Sequence, residues 1–196
     1  RDQNIHIKYL IQKTFGVKEI QDIFLTKQGL IEKTAKPNKE QLERNLNAIN
    51  TFKQNYPELN VGFVTAPNAV SIKKEYLPKY AVTLNQDKQI DNIYSKLDDS
   101  IVKIDLRNTL KKHKDEYLYY KTDHHWTSLA SYYAYQDIAK AFNLETTKQS
   151  DYTIYPVTTN FEGTLANKTG SVNIKDEIDI YVPKDKCDYV ITDEST

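Results

Sequence analysis

The chain has 196 residues, and its 27 lysines and arginines equal its 27 aspartates and glutamates, so its formal charge at neutral pH is zero. That balance lacks the basic excess that nucleic acid selects, and no block of like charge marks an interaction tail. A hydrophobic share of 39% against 28% charged residues fits one globular domain with a core and room for a small appendage, and no run reaches the roughly 18 apolar residues of a membrane span.

Residues 1–15 carry Ile5, Tyr9, Leu10 and Phe15 at loosely helical spacing. The stretch "DIFLTKQGLIEK" places two apolar runs around Lys27-Gln28-Gly29 and predicts a hairpin. The clearest helix is "KPNKEQLERNLNAINTFKQNY", with Leu42, Leu46, Ile49 and Phe52 on one side and Asn38 as its cap. A short buried strand follows at Val61–Thr65 and breaks into a loop at Pro67-Asn68. A second amphipathic helix, "DKQIDNIYSKL", repeats Ile90, Ile93, Tyr94 and Leu97. Strand "IVKIDL" (101–106), short helix "RNTLKKHK", strand "EYLYYKT" and helix "WTSLASYYAYQDIAKAFNL" complete the series, the last with Leu129, Tyr132, Tyr133 and Phe142 on its apolar side. Past residue 150 the pattern changes to three short strand candidates, "YTIYPV", "EIDIYV" and "DYVIT".

The alternation over 37–143 predicts an α/β fold, a parallel sheet covered by helices on both faces. Three units are expected: a helix and hairpin over 1–36, an α/β core over 37–149, and a β-rich extension over 150–196. The lone Cys187 cannot form an internal disulfide. No signal peptide is visible, yet the chain opens at Arg1, holds no methionine and ends on a strand-like run, so it reads as a piece of a longer protein. Its 15 tyrosines suit strands and flat sugar contacts, or reflect a composition that also favours Lys, Asn and Ile.

The stretch "YYKTDHHWTS" (119–128) concentrates the chemistry. A strand over 117–122 and a cap at Thr127 would set Asp123, His124, His125 and Trp126 at the carboxyl end of a strand, where open α/β sheets bind ligands. In an extended segment residues two apart share a side, so Asp123 and His125 face one way and His124 and Trp126 the other. Asp123 would then accept the Nδ1–H of His125 and leave Nε2 as a base, the acid–histidine half of a catalytic triad. The adjacent helix amino end favours a neutral imidazole. Taken singly, such an aspartate is often only a cap and such a histidine only a hydrogen-bonding strand end. Asp-His-His can also bind a metal, but adjacent histidines tend to face apart, His6 and His113 are isolated, and the aspartate clusters of Asp-His-His phosphoesterases are missing. No metal and no cofactor is expected.

With "TDHHWT" matching T-D-x-H-W at Thr122, Asp123, His125, Trp126 and Thr127, the sequence resembles the DHHW-motif proteins of Gram-positive cell envelopes, relatives of the SGNH-hydrolase-like domains of alginate O-acetylation proteins. The blocks "GVKEIQDIFLTKQGLIEK" and "VTAPNAVSIKKEYLPKYA" support the likeness, which covers residues 15 to 170. The resemblance implies an SGNH-like fold and a serine esterase or O-acetyltransferase acting on envelope polysaccharide, outside the cytoplasm, with an acyl-donor membrane protein as a partner and no nucleic acid. It carries Asp123 over as the orienting acid and His125 as the base. Asn68, His124, Trp126 and Thr127 are the expected substrate-side residues, Trp126 as a wall or packing residue, and His124 without a role assigned by the resemblance.

The nucleophile is the gap. In this family the serine follows the acid and the histidine in chain order, on a later strand-to-turn. Ser71, Ser95, Ser100, Ser150, Ser171 and Ser195 lack a strained elbow, and Ser128 and Ser131 sit in the helix after the histidines. Thr164, after a glycine, can line the cleft but would need its own base. The serine is therefore expected beyond Thr196. The alternative is a non-catalytic glycan-binding or scaffold protein using Tyr117, Tyr119, Tyr120, Tyr132 and Tyr133 as sugar-facing rings.

Overall fold

The computed structural model describes residues 2–171 and 173–185. Its centre is a parallel pair, β4 (Gly62–Thr65) and β5 (Val102–Asp105), in register from Gly62 opposite Val102 to Thr65 opposite Asp105. A parallel pair needs a crossover, supplied here by α3 (Ala69–Ile72) and α4 (Gln86–Tyr94). Helix α2 (Lys39–Asn55) is capped by Asn38, whose side chain accepts from Gln41 N. It packs Leu42, Leu46 and Ile49 with Phe63, Ile93, Tyr94 and Leu97 over one face of the pair, while Phe52 stays exposed.

The other face is covered by α5 (Arg107–Lys112) and α6 (Ser128–Ala141), whose Leu110, Ala130 and Ala134 surround Ile104. The buried stripe of α6 is Ala130, Ala134 and Ala139, with Leu129, Tyr133 and Phe142 only partly covered. Small side chains let the helix approach the sheet closely. Tyr132, expected on the buried side, points elsewhere and stacks on Tyr181 at 6.1 Å.

Upstream, α1 (Asp2–Thr14) precedes a three-stranded meander of β1 (Glu19–Ile20), β2 (Ile23–Thr26) and β3 (Gly29–Glu32). The hairpin around 27–28 forms as expected, pairing Thr26 with Gly29. At Gly29 a Cβ would lie 2.7 Å from Lys121 Cα, and φ is +123°. Only glycine permits this approach, and it seats the hairpin on the motif loop, with Leu30 N donating to Lys121 O at 2.8 Å.

The strand expected at 116–122 does not form. Residues 118–127 instead make a folded-back loop, closed by an isolated bridge between Tyr119 and Trp126 and by Thr127 N donating to Leu118 O at 2.9 Å. The cause is where the backbone groups go. Lys121 N and Thr122 N donate to the Asp176 carboxylate, and Thr122 O accepts from Leu165 N and Ala166 N. What is left supports only that single bridge, with Tyr120 N donating to His125 O at 3.2 Å on its other side.

The last described segments are an antiparallel ribbon, β6 (Tyr152–Phe161) and β7 (Asp176–Pro183), with α7 (Thr164–Thr169) inserted between. Both strands exceed the expected runs, and a register shift beside Pro156 absorbs the missing N–H. The "DYVIT" candidate and Cys187 lie outside the described residues. No helix among the described residues is long and apolar enough to cross a membrane.

Arg107 ties the elements under the sheet together. Its Nη2 lies 2.6 Å from both Asp91 of α4 and Asp105 of β5, and Nη1 donates to Asp87 O. Hydrogen bonding from Arg107 holds the Asp105 carboxyl below its ordinary value, which burial alone would raise. A depressed folded value stabilises the fold above the unfolded value of about 3.9, and that gain is lost as pH falls through the folded one. We expect Arg107→Ala to cost about 1–3 kcal/mol in urea unfolding at neutral pH, with the deficit shrinking toward pH 3. A deficit independent of pH would contradict the ion-pair origin.

Candidate active site

Asp123 sits in the loop before α6, 6% exposed, and its carboxylate is filled by donors. Oδ1 accepts from His125 N at 3.1 Å and faces His125 Nδ1 at 2.6 Å. Oδ2 accepts from Thr164 N at 2.8 Å and Thr164 Oγ1 at 3.0 Å. Burial pushes the carboxyl up, but the N–H and O–H donors of Thr164 and His125 outweigh it and hold it well below the usual carboxylate range. An ionised carboxylate only accepts, so His125 must carry its proton on Nδ1. The ring is 68% exposed, and among the described residues nothing bonds Nε2. This is an oriented imidazole with a free lone pair.

His124 departs from the expected alternation. Its ring lies beside that of His125, centroids 4.0 Å apart and tilted by 36°, because the loop turns instead of extending. Its Nδ1 is 3.0 Å from Thr164 Oγ1. Thr164 donates to Asp123, so it accepts from His124, and both imidazoles converge on one carboxylate. The adjacent histidines thus do not face apart, and Asp123, His124 and His125 bring potential ligand atoms within 4.8 Å of one another. Four protein donors already occupy the carboxylate, which is the arrangement of an orienting acid more than of a ligand.

The remaining expected residues separate. Asn68 caps α3 without a side-chain capping bond and is exposed, lining with Leu30, Glu32, Ala69, Asp123, His124 and Leu165 a small pocket of about 60 Å³. Tyr119, itself buried, fixes that corner by donating to Pro67 O at 2.6 Å. Trp126 packs against the core cluster under α6. Thr127 is buried; its hydroxyl donates to Tyr117 O at 2.6 Å and accepts from Ala130 N, so it is a helix cap and not a cleft group. Larger concavities of about 610 and 560 Å³ open between residues 18–27 and 75–81 and along residues 70–87, and include neither Asp123 nor His125.

Among the described residues no serine hydroxyl bonds His125. Ser71 donates to Asp87, Ser128 to Asp179 O, and Ser171 is buried. Thr164 Oγ1 is spent between Asp123 and His124, which makes it a holder of the acid and removes it as a nucleophile. Sequence reading gives no role to Gly163, Thr122 or Asp176. Thr122 stands in the matched motif and Gly163 precedes Thr164, which are the available signals; the Asp176–Thr122 contact spans 54 positions and leaves none.

The family model described as "SGNH hydrolase-like domain, acetyltransferase AlgX" matches residues 23–194. Among solved structures the chain is similar to a DHHW family protein from Eubacterium siraeum, with 22% identity, a TM-score of 0.69, and coverage of 82% of this chain and 54% of that one. It is similar to Bacillus cereus PatB1 carrying a sulfonyl adduct, with 19% identity, a TM-score of 0.67, and coverage of 83% and 56%. It is similar to the O-acetyltransferase domain of Pseudomonas putida AlgJ, with 19% identity, a TM-score of 0.62, and coverage of 83% and 66%. The chain therefore spans between 54% and 66% of these structures, and at such identities they establish a common fold alone. No curated protein sequence matches it. With the model matched from β2 to beyond β7, over a mixed α/β architecture shared with these structures, the chain belongs to the SGNH hydrolase-like domain family of acetyltransferase AlgX.

Proposed function

We propose that the chain is the acid–base part of a polysaccharide O-acetyltransferase or acetyl esterase of the cell envelope, working through a Ser-His-Asp triad. The observation that carries this is the Asp123–His125 pair, 2.6 Å apart, with Nε2 open to solvent. The serine is supplied from outside these 196 residues, a reading supported by the lack of any described serine on His125.

The serine Oγ attacks the acetyl carbonyl while His125 Nε2 takes its proton; Asp123 stabilises the imidazolium. Collapse of the tetrahedral oxyanion expels the donor's oxygen, which leaves with that proton. A sugar hydroxyl, or water in an esterase, then attacks the acyl-serine with His125 again as base, and the serine Oγ leaves with the proton His125 has taken. Asn68 supplies an amide at the pocket rim for substrate, and His124 borders the same pocket. The substrate in this reading is an envelope glycan, acetylated by way of an acyl-donor membrane protein in an extracytoplasmic setting; the acetyltransferase named in the family description supports the acetyl-transfer part of it.

The test is covalent. The intact protein treated with an arylsulfonyl fluoride should gain one sulfonyl group on a serine, with loss of fluoride, and lose release of acetate from a chromogenic acetyl ester in step. Peptide mapping should place that serine outside residues 1–196. Adduct formation on Ser128 or Ser131 would refute the external nucleophile. Neither adduct nor acetate release, with retained glycan binding, would convert the reading to a non-catalytic binder.

A further inference from the structure

We propose that Asp176 is a positioning residue for the Asp123–His125 pair, acting through the Thr122 hydroxyl and the Gly163–Thr164 turn. Asp176 opens β7 and is 2% exposed. Its Oδ1 accepts from Lys121 N at 2.7 Å and from the Tyr117 hydroxyl. Its Oδ2 accepts from Thr122 N at 2.8 Å and from the Thr122 hydroxyl. A buried carboxylate is tolerated only when its lone pairs are filled, and here every donor comes from the six residues that lead into Asp123.

Thr122 is the pivot. It is fully buried, and since its hydroxyl hydrogen goes to Asp176, a lone pair remains to accept Gly163 N at 2.9 Å. Its carbonyl accepts Leu165 N at 3.0 Å and Ala166 N at 3.1 Å, so the start of α7 hangs on this one residue. The same turn presents Thr164 N and Oγ1 to Asp123 Oδ2. The order of contacts is thus Asp176, Thr122, Gly163, Thr164, Asp123, His125. If the turn drifts, Oδ2 loses both donors, the carboxylate rotates, and the Oδ1–Nδ1 contact that selects the His125 tautomer degrades. The carboxyl-terminal ribbon, through its first residue, thereby controls a proton position in the loop before α6.

The activity arm rests on the proposed acetyl-transfer reading; the spectroscopic arm does not. In the intact protein, Thr122→Val removes the hydroxyl at nearly constant shape, and Thr122→Ser keeps it. We expect Thr122→Val to lower kcat for an acetyl ester by roughly tenfold or more with KM within about threefold, and Thr122→Ser to restore kcat to within about threefold. The downfield proton resonance of the carboxylate-bound Nδ1–H, assigned by its disappearance in His125→Ala, should persist in Thr122→Ser and vanish in Thr122→Val. Asp176→Asn, which places an amide donor against backbone N–H groups, is the second variant should Thr122→Val fail to fold, and it too should erase the resonance. An unchanged resonance and kcat in a folded Thr122→Val or Asp176→Asn overturn the proposal. Loss of the resonance in Thr122→Val but not in wild type, with a wild type that turns over no ester, keeps the positioning role and discards the acetyl-transfer reading.

Discussion

His125→Ala should lower acetyl-ester turnover by the intact protein by roughly 10³-fold or more, almost entirely in kcat, and leave stability within about 0.5 kcal/mol. The asymmetry follows from the ring's placement. The side chain is 68% exposed and fills no core volume, so truncation opens no cavity. Asp123 keeps its contacts with Thr164 N, Thr164 Oγ1 and the His125 backbone N–H, so it is not stranded as an unpaired charge. What disappears is the proposed proton acceptor, a group needed only as the transition state forms. The acid partner sets a further condition. Because hydrogen bonds hold Asp123 below the ordinary carboxylate value, it is ionised at any pH above about 4, and its protonation shapes no part of the rate profile there. Steady-state kinetics of the folded variant on a chromogenic acetyl ester decide the matter: turnover within tenfold of wild type would strip His125 of the base role.

How much of this was legible in the sequence depends on how local the cause is. Periodicity and caps located α2 from Asn38 and Leu46, the 27–28 hairpin, β4, β5 and α6 with Thr127 as its cap, because those elements are fixed by neighbours within a few residues, but β4 is not the buried strand expected: it pairs with β5 alone, and Gly62 and Val64 are exposed. The pairing of Asp123 with His125 was readable for the same reason, being a contact across two positions. The alternation of an extended segment accounts for only half of it. An extended strand would also have turned His124 away, whereas the loop turns and sets both rings side by side. The "EYLYYKT" run has strand composition, but Asp176, Leu30, Leu165 and Ala166 claim its backbone groups from distant parts of the chain. The same long-range contacts explain why residues past 150, which read as an appendage, supply Gly163, Thr164 and Asp176 to the scaffold of the site. Of the tyrosines offered as sugar-facing rings, Tyr119 is a buried strut for Pro67 and Tyr117 is bound to Asp176; hydroxyls that look free in a sequence are committed in the fold.

Gly163→Ala tests that scaffold at its tightest point. A Cβ added there would lie 2.4 Å from Asp123 Cβ, 2.6 Å from Asp123 Oδ2 and 2.8 Å from Thr122 O. Carbon contacts are comfortable only at about 3.5–4.0 Å. The backbone angles of Gly163, φ −89° and ψ −173°, suit any residue, so the penalty is contact and not conformation. Neither neighbour can retreat: Asp123 is buried and fastened by four donors, and Thr122 O carries the first amides of α7. The turn must move instead, which pulls Thr164 N and Oγ1 off Asp123 and Gly163 N off Thr122. We expect a loss of about 1–3 kcal/mol in chemical denaturation, the usual cost of overpacking, and a fall in turnover on the order of 10²-fold, the scale of a misplacement near 1 Å. Thr164→Ala removes one hydroxyl donor but leaves the turn seated, so it should cost less on both counts. A Gly163→Ala protein as stable and as fast as wild type would mean that the turn does not bear on Asp123, and with that the carboxylate would lose the support that aims it at His125.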